Sequence, residues 1–99
     1  MRESTIESYL VAQVEKRGGR APKWVSPGLK AVMDRLVFLP GGWLALAETK
    51  SGPARQLDPL QGWLAGEFRK LGFRVVKIDS HTDVDALMME YELWKRAQV

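Results

Sequence analysis

Apolar residues recur every three or four positions in three stretches of the chain, which is the spacing of an amphipathic helix. The stretches predict helices over about residues 3–17, 57–71 and 82–96, with Thr82 as a plausible N-cap of the last. Glycine follows each of the first two and suits a helix stop. The predicted inward faces are Ile6, Leu10, Val11 and Val14, then Leu57, Leu60, Leu64, Phe68 and Leu71, and last Val84, Leu87, Met88, Tyr91 and Trp94.

Four shorter runs have the length and the branched or aromatic residues of β-strands. Residues 20–25 predict a first strand, which Pro22 confines to a sheet edge or to an irregular start. A Pro-Gly-Gly turn joins residues 35–39 to residues 43–47, so these runs predict a hairpin. Residues 73–78 predict a strand parallel to the second hairpin strand, because a helix connects the two. The order α-β-β-β-α-β-α indicates one α/β domain with a mixed β-sheet flanked by helices.

The predicted hairpin register brings two carboxylates together. If the three turn residues close it symmetrically, Leu39 faces Trp43 and Asp34 comes out opposite Glu48. Directly opposed side chains lie roughly 4.5–5.5 Å apart at Cβ, and like charges at that distance are destabilising unless a cation lies between them. Lys50 follows Glu48 by two residues and shares its face. The three residues indicate a site for metal-assisted chemistry on phosphate; the alternative is a set of solvated charges at strand ends.

A third carboxylate, Glu7, lies on the apolar stripe of the first predicted helix. It precedes Leu10, Val11 and Val14 by three, four and seven residues. A carboxylate on a core-facing stripe is costly unless it is paired or binds a metal ion. Glu7 is therefore a candidate metal ligand; the alternative is a residue at the stripe edge that reaches solvent or pairs with an arginine.

Composition limits the kind of metal site that is possible. The 99 residues suit one domain, and they include no cysteine and one histidine, His81, so zinc–thiolate and multi-histidine sites within the chain are excluded. Any metal must therefore be held by oxygen. No run approaches the ~20 apolar residues of a membrane span, and the N-terminus is no signal peptide. These features predict a cytoplasmic protein of a bacterial or phage-type host cell, with no membrane partner.

The positive charge is concentrated in one segment. The net charge is +3, and the segment from Lys16 to Arg35 carries six basic residues against the single acid Asp34. A basic region beside an acidic metal site suits a polyanion such as DNA; the alternative is a solvated basic surface. Aromatic side chains stack on unpaired bases, which adds Trp24 to the candidates. The candidate DNA contacts are Arg20, Lys23, Trp24, Ser26, Lys30 and Arg35.

Several short motifs, in their order and spacing, resemble the VRR-NUC domain, the virus-type replication-repair nuclease module of the PD-(D/E)xK superfamily. The resemblance extends from Glu7 to about Leu87, and the chain has Met33 where the family usually has proline. The matching motifs are Glu7, Gly18-Gly19, Ser26-Pro27-Gly28, Asp34-Arg35-Leu36-Val37, Pro40-Gly41-Gly42, Glu48-Thr49-Lys50 and Gln61.

The resemblance implies a PD-(D/E)xK-like fold and a metal-dependent DNA endonuclease that uses Mg²⁺ or Mn²⁺. The implied metal ligands are Glu7, Asp34, Glu48 and the backbone carbonyl of Thr49. Lys50 is implied to orient the attacking water or to stabilise the charge on the phosphate. Gln61 is implied to position Lys50 or the substrate.

Junction resolvases of the same superfamily imply a symmetric homodimer that cuts branched DNA, such as four-way (Holliday) junctions in DNA repair. The predicted dimer surface uses large apolar residues in excess of a small core, namely Trp63, Met88, Met89 and Trp94. Two alternatives remain open at this point. One is a DNA-binding module of the same fold that is catalytically inactive or depends on a partner, and the other is a small interaction domain.

Overall fold

The computed structural model describes residues 3–30, 32–49 and 59–98, with residues 3 and 4 as backbone only. Within these residues, six elements follow one another in the order α-β-β-α-β-α. They confirm the α/β class, the mixed sheet and the presence of helices that flank it. The elements are α1 (Glu3–Lys16), β1 (Arg35–Leu39), β2 (Trp43–Thr49), α2 (Pro59–Lys70), β3 (Arg74–Ile78) and α3 (His81–Arg96).

The sheet has the order β1-β2-β3, and its hairpin has the predicted register. Leu39 pairs with Trp43 at the turn, and the antiparallel pairing continues to Arg35 and Ala47. β3 lies on the other side of β2 and runs parallel to it, because α2 carries the chain back across the sheet. Glycines at 41 and 42 have φ of +93° and +87°, a conformation that other residues rarely adopt.

The prediction of a strand over residues 20–25 is wrong in detail. This segment pairs with β1 through two isolated bridges, Arg20 with Phe38 and Lys23 with Arg35. Pro22 lies between the two bridges and has no N–H group, so a continuous ladder of hydrogen bonds cannot form there. The backbone N–H of Arg20 still donates to the carbonyl of Phe38 at 2.9 Å. The segment therefore covers the outer edge of β1 without becoming a strand.

Two apolar layers lie on the two faces of the sheet, because side chains alternate along each strand. α1 and α3 pack on the face that carries Ala45 and Ala47, whereas α2 packs on the face that carries Leu46. The larger layer contains Ile6, Leu10, Val14, Val37, Leu39, Ile78, Val84, Leu87, Met88 and Tyr91; the smaller contains Met33, Leu64, Ala65 and Val75.

The predicted inward face of α2 is partly wrong. Leu64 is buried and Phe68 packs against the core, as predicted, but Leu60 and Leu71 are 47% and 70% exposed. Gln61 and Ala65 are buried in their place. Leu71 lies beyond the last helical residue, and Leu60 is one position, or about 100°, away from the buried stripe. Leu57 lies outside the described residues.

Two predictions for α3 are also wrong. Its N-cap is Ser80 rather than Thr82, since the Ser80 hydroxyl accepts a hydrogen bond from the backbone N–H of Asp83 at 3.1 Å. Met88, predicted at a dimer surface, is 2% exposed and belongs to the core. The predicted inward face of α3, which includes Met88, is confirmed, with Trp94 half-buried at its end.

Candidate active site

Asp34 lies at the open end of the hairpin, where it joins the two strands. One carboxylate oxygen, Oδ2, accepts hydrogen bonds from the backbone N–H of Thr49 at 2.9 Å and from its hydroxyl at 2.8 Å. Asp34 immediately precedes β1 and Thr49 ends β2. Continued by one residue, the hairpin register places Asp34 opposite Glu48, as the sequence predicts. The first two acidic candidates therefore meet at the same end of the sheet.

Glu48 is a buried carboxylate, with 4% of its surface exposed. It lies on the face of the sheet that α2 covers, because Leu46, two residues earlier, packs there. A carboxylate in such surroundings is expensive to keep charged, which is typical of metal ligands and of catalytic groups. A cavity of about 20 Å³ adjoins it, with room for one water-sized group. The cavity is lined by Met33, Glu48, Gln61, Ala65, Arg69, Val75, Val76 and Lys77.

Gln61 extends from α2 into the same cavity and is 8% exposed. Its Nε2 donates a long hydrogen bond of 3.3 Å to the carbonyl of Val32, in the loop before β1. Its Oε1 is buried and accepts no hydrogen bond from the residues that the structure describes. A buried acceptor without a donor costs about 1–3 kcal/mol, so we expect the partner of this oxygen beyond the described residues.

Glu7 pairs with an arginine, which is the alternative to metal binding that the sequence left open. Its Oε1 accepts a hydrogen bond from Arg35 Nε at 3.0 Å, and Arg35 Nη1 donates to the carbonyl of Ala21 at 2.8 Å. The pair lies on the face covered by α1, in an open cleft of about 510 Å³. Nowhere in residues 3–30, 32–49 and 59–98 do three His, Asp or Glu side chains come close enough to hold a metal ion. A metal-binding role for Glu7 stays a prediction.

The remaining catalytic prediction concerns Lys50, which lies outside the described residues. Its neighbour Thr49 is fully buried, with its hydroxyl bonded to Asp34. Met33, at the position of the usual family proline, is buried under α2 at 1% exposure. The loop before the motif aspartate is thus held by core packing in this chain.

The basic segment runs directly beside Asp34. The backbone N–H of Trp24 donates to the carbonyl of Asp34 at 2.9 Å. Arg20, Lys23 and Lys30 are exposed, so they remain available for DNA phosphates. The Arg35 side chain is only 16% exposed and is committed to Glu7.

The aromatic candidate of this segment, Trp24, is half-buried. Its ring packs against Phe68 of α2 at 5.6 Å between centroids, in the smaller apolar layer. This contact favours a packing role for Trp24 over base stacking. Ser26, the last predicted DNA contact, is also half-buried.

Sequence reasoning missed two basic residues that line the Glu48 cavity, Arg69 and Lys77. The signal for Lys77 was present, since a parallel partner strand was predicted and Glu48 pairs with Lys77 in the observed register. A similar signal was lacking for Arg69, whose guanidinium reaches the carbonyl of Val75 at 3.3 Å. No helix in the described parts of the chain is long and apolar enough to cross a membrane.

Comparison with known proteins gives relatives of one kind. No protein-family model matches the chain. A curated relative, "Putative nuclease p44" of Acyrthosiphon pisum secondary endosymbiont phage 1, is 42% identical over 80 residues, which cover 81% of this chain and 85% of that protein. A solved structure described as a VRR_NUC domain superimposes with a TM-score of 0.84 at 31% identity, covering 90% of this chain and 96% of that one.

Proposed function

Because the chain belongs to the VRR-NUC domain family, we propose that it is a metal-dependent nuclease that hydrolyses phosphodiester bonds in DNA. The observation that carries the proposal is the placement of Glu48, a carboxylate only 4% exposed, beside Asp34 at the open end of the hairpin. Charged groups are rarely kept at such a place without a function.

The side chains at this end of the sheet fit a hard divalent cation. Asp34 and Glu48 supply carboxylates, and the buried Oε1 of Gln61 is an amide oxygen that lacks a donor among the described residues. Oxygen-only sets of this kind favour Mg²⁺ or Mn²⁺ over zinc. We propose Asp34, Glu48 and the carbonyl of Thr49 as ligands. Glu7 would join them directly or through a water, in exchange for Arg35.

A divalent cation held there supplies an activated water and neutralises charge on the scissile phosphate. The chain's own residues do the rest. Asp34 keeps the ends of β1 and β2 in register through Thr49. Lys50 orients the attacking water or stabilises the phosphate. Gln61 fixes the Val32 loop with one end of its amide and lines the same cavity as Glu48.

The exposed bases Arg20, Lys23 and Lys30 would hold the DNA backbone beside Asp34. Contacts of this kind release condensed counterions, so the affinity for DNA should fall steeply with salt.

One contact favours a second candidate function. The ion pair between Glu7 and Arg35 withdraws one proposed ligand from the site. A DNA-binding module that is inactive alone, or that needs a partner to move Glu7, fits this pairing. Both candidates bind DNA, and only the first cleaves it unaided.

A cleavage assay separates the two candidates. The purified chain is incubated with linear duplex, flap and four-way junction DNA in Mg²⁺, in Mn²⁺ and in EDTA. The nuclease proposal requires cleavage that depends on the metal, and a preference for the junction supports the structure-specific form of the proposal. Binding without cleavage under all metal conditions supports the second candidate.

We also propose a symmetric homodimer, whose two sites match the two equivalent strands of a four-way junction. The exposed candidates are Trp63 at 61% and Met89 at 65%. They lie on α2 and α3, on opposite faces of the sheet. We therefore expect a single two-fold interface to contain one of these side chains and not both. Each has an exposed apolar neighbour on its helix, Leu60 for Trp63 and Leu93 for Met89, and we choose Trp63 because tryptophan is among the residues that contribute most to interface binding energy.

Trp63→Glu is expected to convert the dimer to a monomer, because a buried interface charge without a partner is strongly unfavourable. Sedimentation at micromolar concentration should show the shift to 11.2 kDa. Met89→Glu places the same charge on the opposite face and should leave the dimer intact. A wild-type chain that sediments as a monomer contradicts the proposal.

Gln61→Met is expected to weaken the response to metal without weakening the fold. The substitution removes a buried acceptor that has no donor among the described residues, which offsets the loss of the long bond to Val32. We expect a change in unfolding free energy within about 1 kcal/mol and a smaller rise in Tm on titration with Mn²⁺. The control is Gln13→Met, which removes a glutamine bonded to Arg17 on α1. Equal Mn²⁺ responses in both variants would count against a site role for Gln61.

A further inference from the structure

Lys77 lies on β3 directly beside the most buried acidic residue of the site. Glu48 and Lys77 are paired in the parallel register, and paired residues on neighbouring strands point to the same face of the sheet. Both line the cavity that also contains Gln61. The stem of Lys77 therefore runs along the α2 face, one strand away from the carboxylate.

The ammonium group of Lys77 is held only weakly. Its Nζ lies 3.8 Å from Oδ2 of Asp79, and the two side chains are 37% and 33% exposed. Exposed ion pairs at such separations contribute about 0–1 kcal/mol. Asp79 follows β3 directly, so this contact draws the ammonium group toward the carboxyl end of the sheet, where Thr49 ends β2.

Asp79 is itself engaged elsewhere, which loosens its hold on Lys77 further. A hydrogen bond with the Asp83 carboxyl raises the pKa of Asp79, with partial burial and the charge of Asp83 acting in the same direction. The backbone N–H of Asp79 also donates to Asp83 at 3.0 Å. Asp79 therefore divides its contacts between Asp83 and Lys77, and the distance of 3.8 Å to Lys77 leaves room for a phosphate group to compete for the ammonium group.

Three other bases that the structure describes in this region have closer partners than Lys77 has. Arg69, which lines the same cavity, donates to the carbonyl of Val75, and Arg35 is committed to Glu7. Arg74, three residues before Lys77, forms a two-bonded ion pair with Glu90, with both distances at 2.8 Å. Lys77 thus combines proximity to Glu48 with an exposed and weakly paired charge.

We propose that Lys77 is a phosphate-binding residue of this site, whose ammonium group leaves Asp79 to contact the DNA backbone next to the phosphodiester that is cleaved. The inference rests on the proposed nuclease function and deepens it. Lysine acts here as a compact point charge on a flexible stem, so it contributes to the affinity for DNA and not to recognition of its sequence.

The direct test is the salt dependence of DNA binding by the full chain in EDTA, with a fluorescent duplex as the probe. Lys77→Gln should reduce the slope of log K against log salt by about 0.9, the contribution of one phosphate contact. Asp79→Asn should tighten binding, because the ammonium group loses its competing partner.

The matched control is Lys70→Gln. It removes an exposed lysine that lies at the end of α2 away from Gln61 and pairs with Glu67 at 3.2 Å. It should leave both slope and affinity unchanged. An unchanged slope in Lys77→Gln, or equal reductions in both lysine variants, overturns the proposal.

Kinetics in Mg²⁺ distinguish a phosphate contact from a structural role. Lys77→Gln should raise KM several-fold with kcat and Tm near the wild-type values, and Lys77→Arg should restore most of the affinity. A fall in Tm with no change in KM contradicts the proposal. If the wild-type chain cleaves no DNA, the nuclease proposal fails, while the binding slopes still decide the role of Lys77.

Discussion

Glu48→Gln is expected to abolish DNA cleavage, by roughly 10³-fold or more, while the chain stays folded and still binds DNA. The amide keeps the shape of the side chain but removes the negative charge that a divalent cation requires. Loss of a like charge opposite Asp34 should leave the metal-free fold as stable as before or more stable by up to about 1 kcal/mol. The measurements are nicking of supercoiled DNA in Mg²⁺ and in Mn²⁺, and unfolding in denaturant.

Asp34→Asn should lose activity in the same way, whereas Glu67→Gln, a control on the outer side of α2, should keep it. DNA affinity should be equal or higher in both site variants, because less negative charge faces the phosphates. Nicking at the wild-type rate by purified Glu48→Gln that is free of contaminating nuclease would place the chemistry elsewhere in the chain.

Gly19→Ala is expected to destabilise the fold by about 2–4 kcal/mol, the largest effect on stability that we predict. A Cβ at this position would overlap the carbonyl oxygen of Phe38 and would come within 2.9 Å of Leu39 Cδ2 and 3.0 Å of Val14 Cγ1. The backbone cannot retreat freely, because Gly19 N–H donates to the carbonyl of Val14 at 3.0 Å. Thermal and chemical unfolding measure the loss.

Gly66→Ala is the matched control for that substitution. A Cβ there meets no atom within 4 Å, and the residue lies inside α2, where alanine is favoured over glycine by up to about 1 kcal/mol. The control should therefore equal or exceed the wild-type stability. Similar losses in both variants would show that the close approach of Gly19 to β1 does not matter.

The hairpin was predictable because two local signals agree on it. The length of the turn fixes the pairing of Leu39 with Trp43, and every pair from there to Arg35 and Ala47 follows by counting. The parallel pairing of β2 with β3 followed from the helical crossover. Local patterns therefore sufficed wherever a single geometric rule connected neighbouring residues.

The buried face of α2 was not predictable in full, because the helix carries apolar residues on two sides. Leu60 and Trp63 are exposed on one side, while Gln61 is buried on the other. Binary patterning assigns the glutamine to solvent, and the proposed site accounts for the reversal of that assignment. The conflict between pattern and burial is itself a marker of the site.

The partner of Glu7 could be identified only from the tertiary structure. Its place on the apolar stripe fits both an arginine partner and a metal, and helical periodicity cannot separate the two. The choice depends on Arg35, which comes from β1 and is 28 residues away in the chain. Long-range ion pairs of this kind leave no signal in a single sequence.

The contact of Asp34 with Thr49 has a consequence for how relatives of this chain can vary in length. The two site carboxylates face each other because the same number of residues separates each of them from the shared turn. A single residue gained in one arm would turn Asp34 toward the opposite face of the sheet. Insertions and deletions in the arms of active relatives should therefore occur in matched pairs, one residue in each strand.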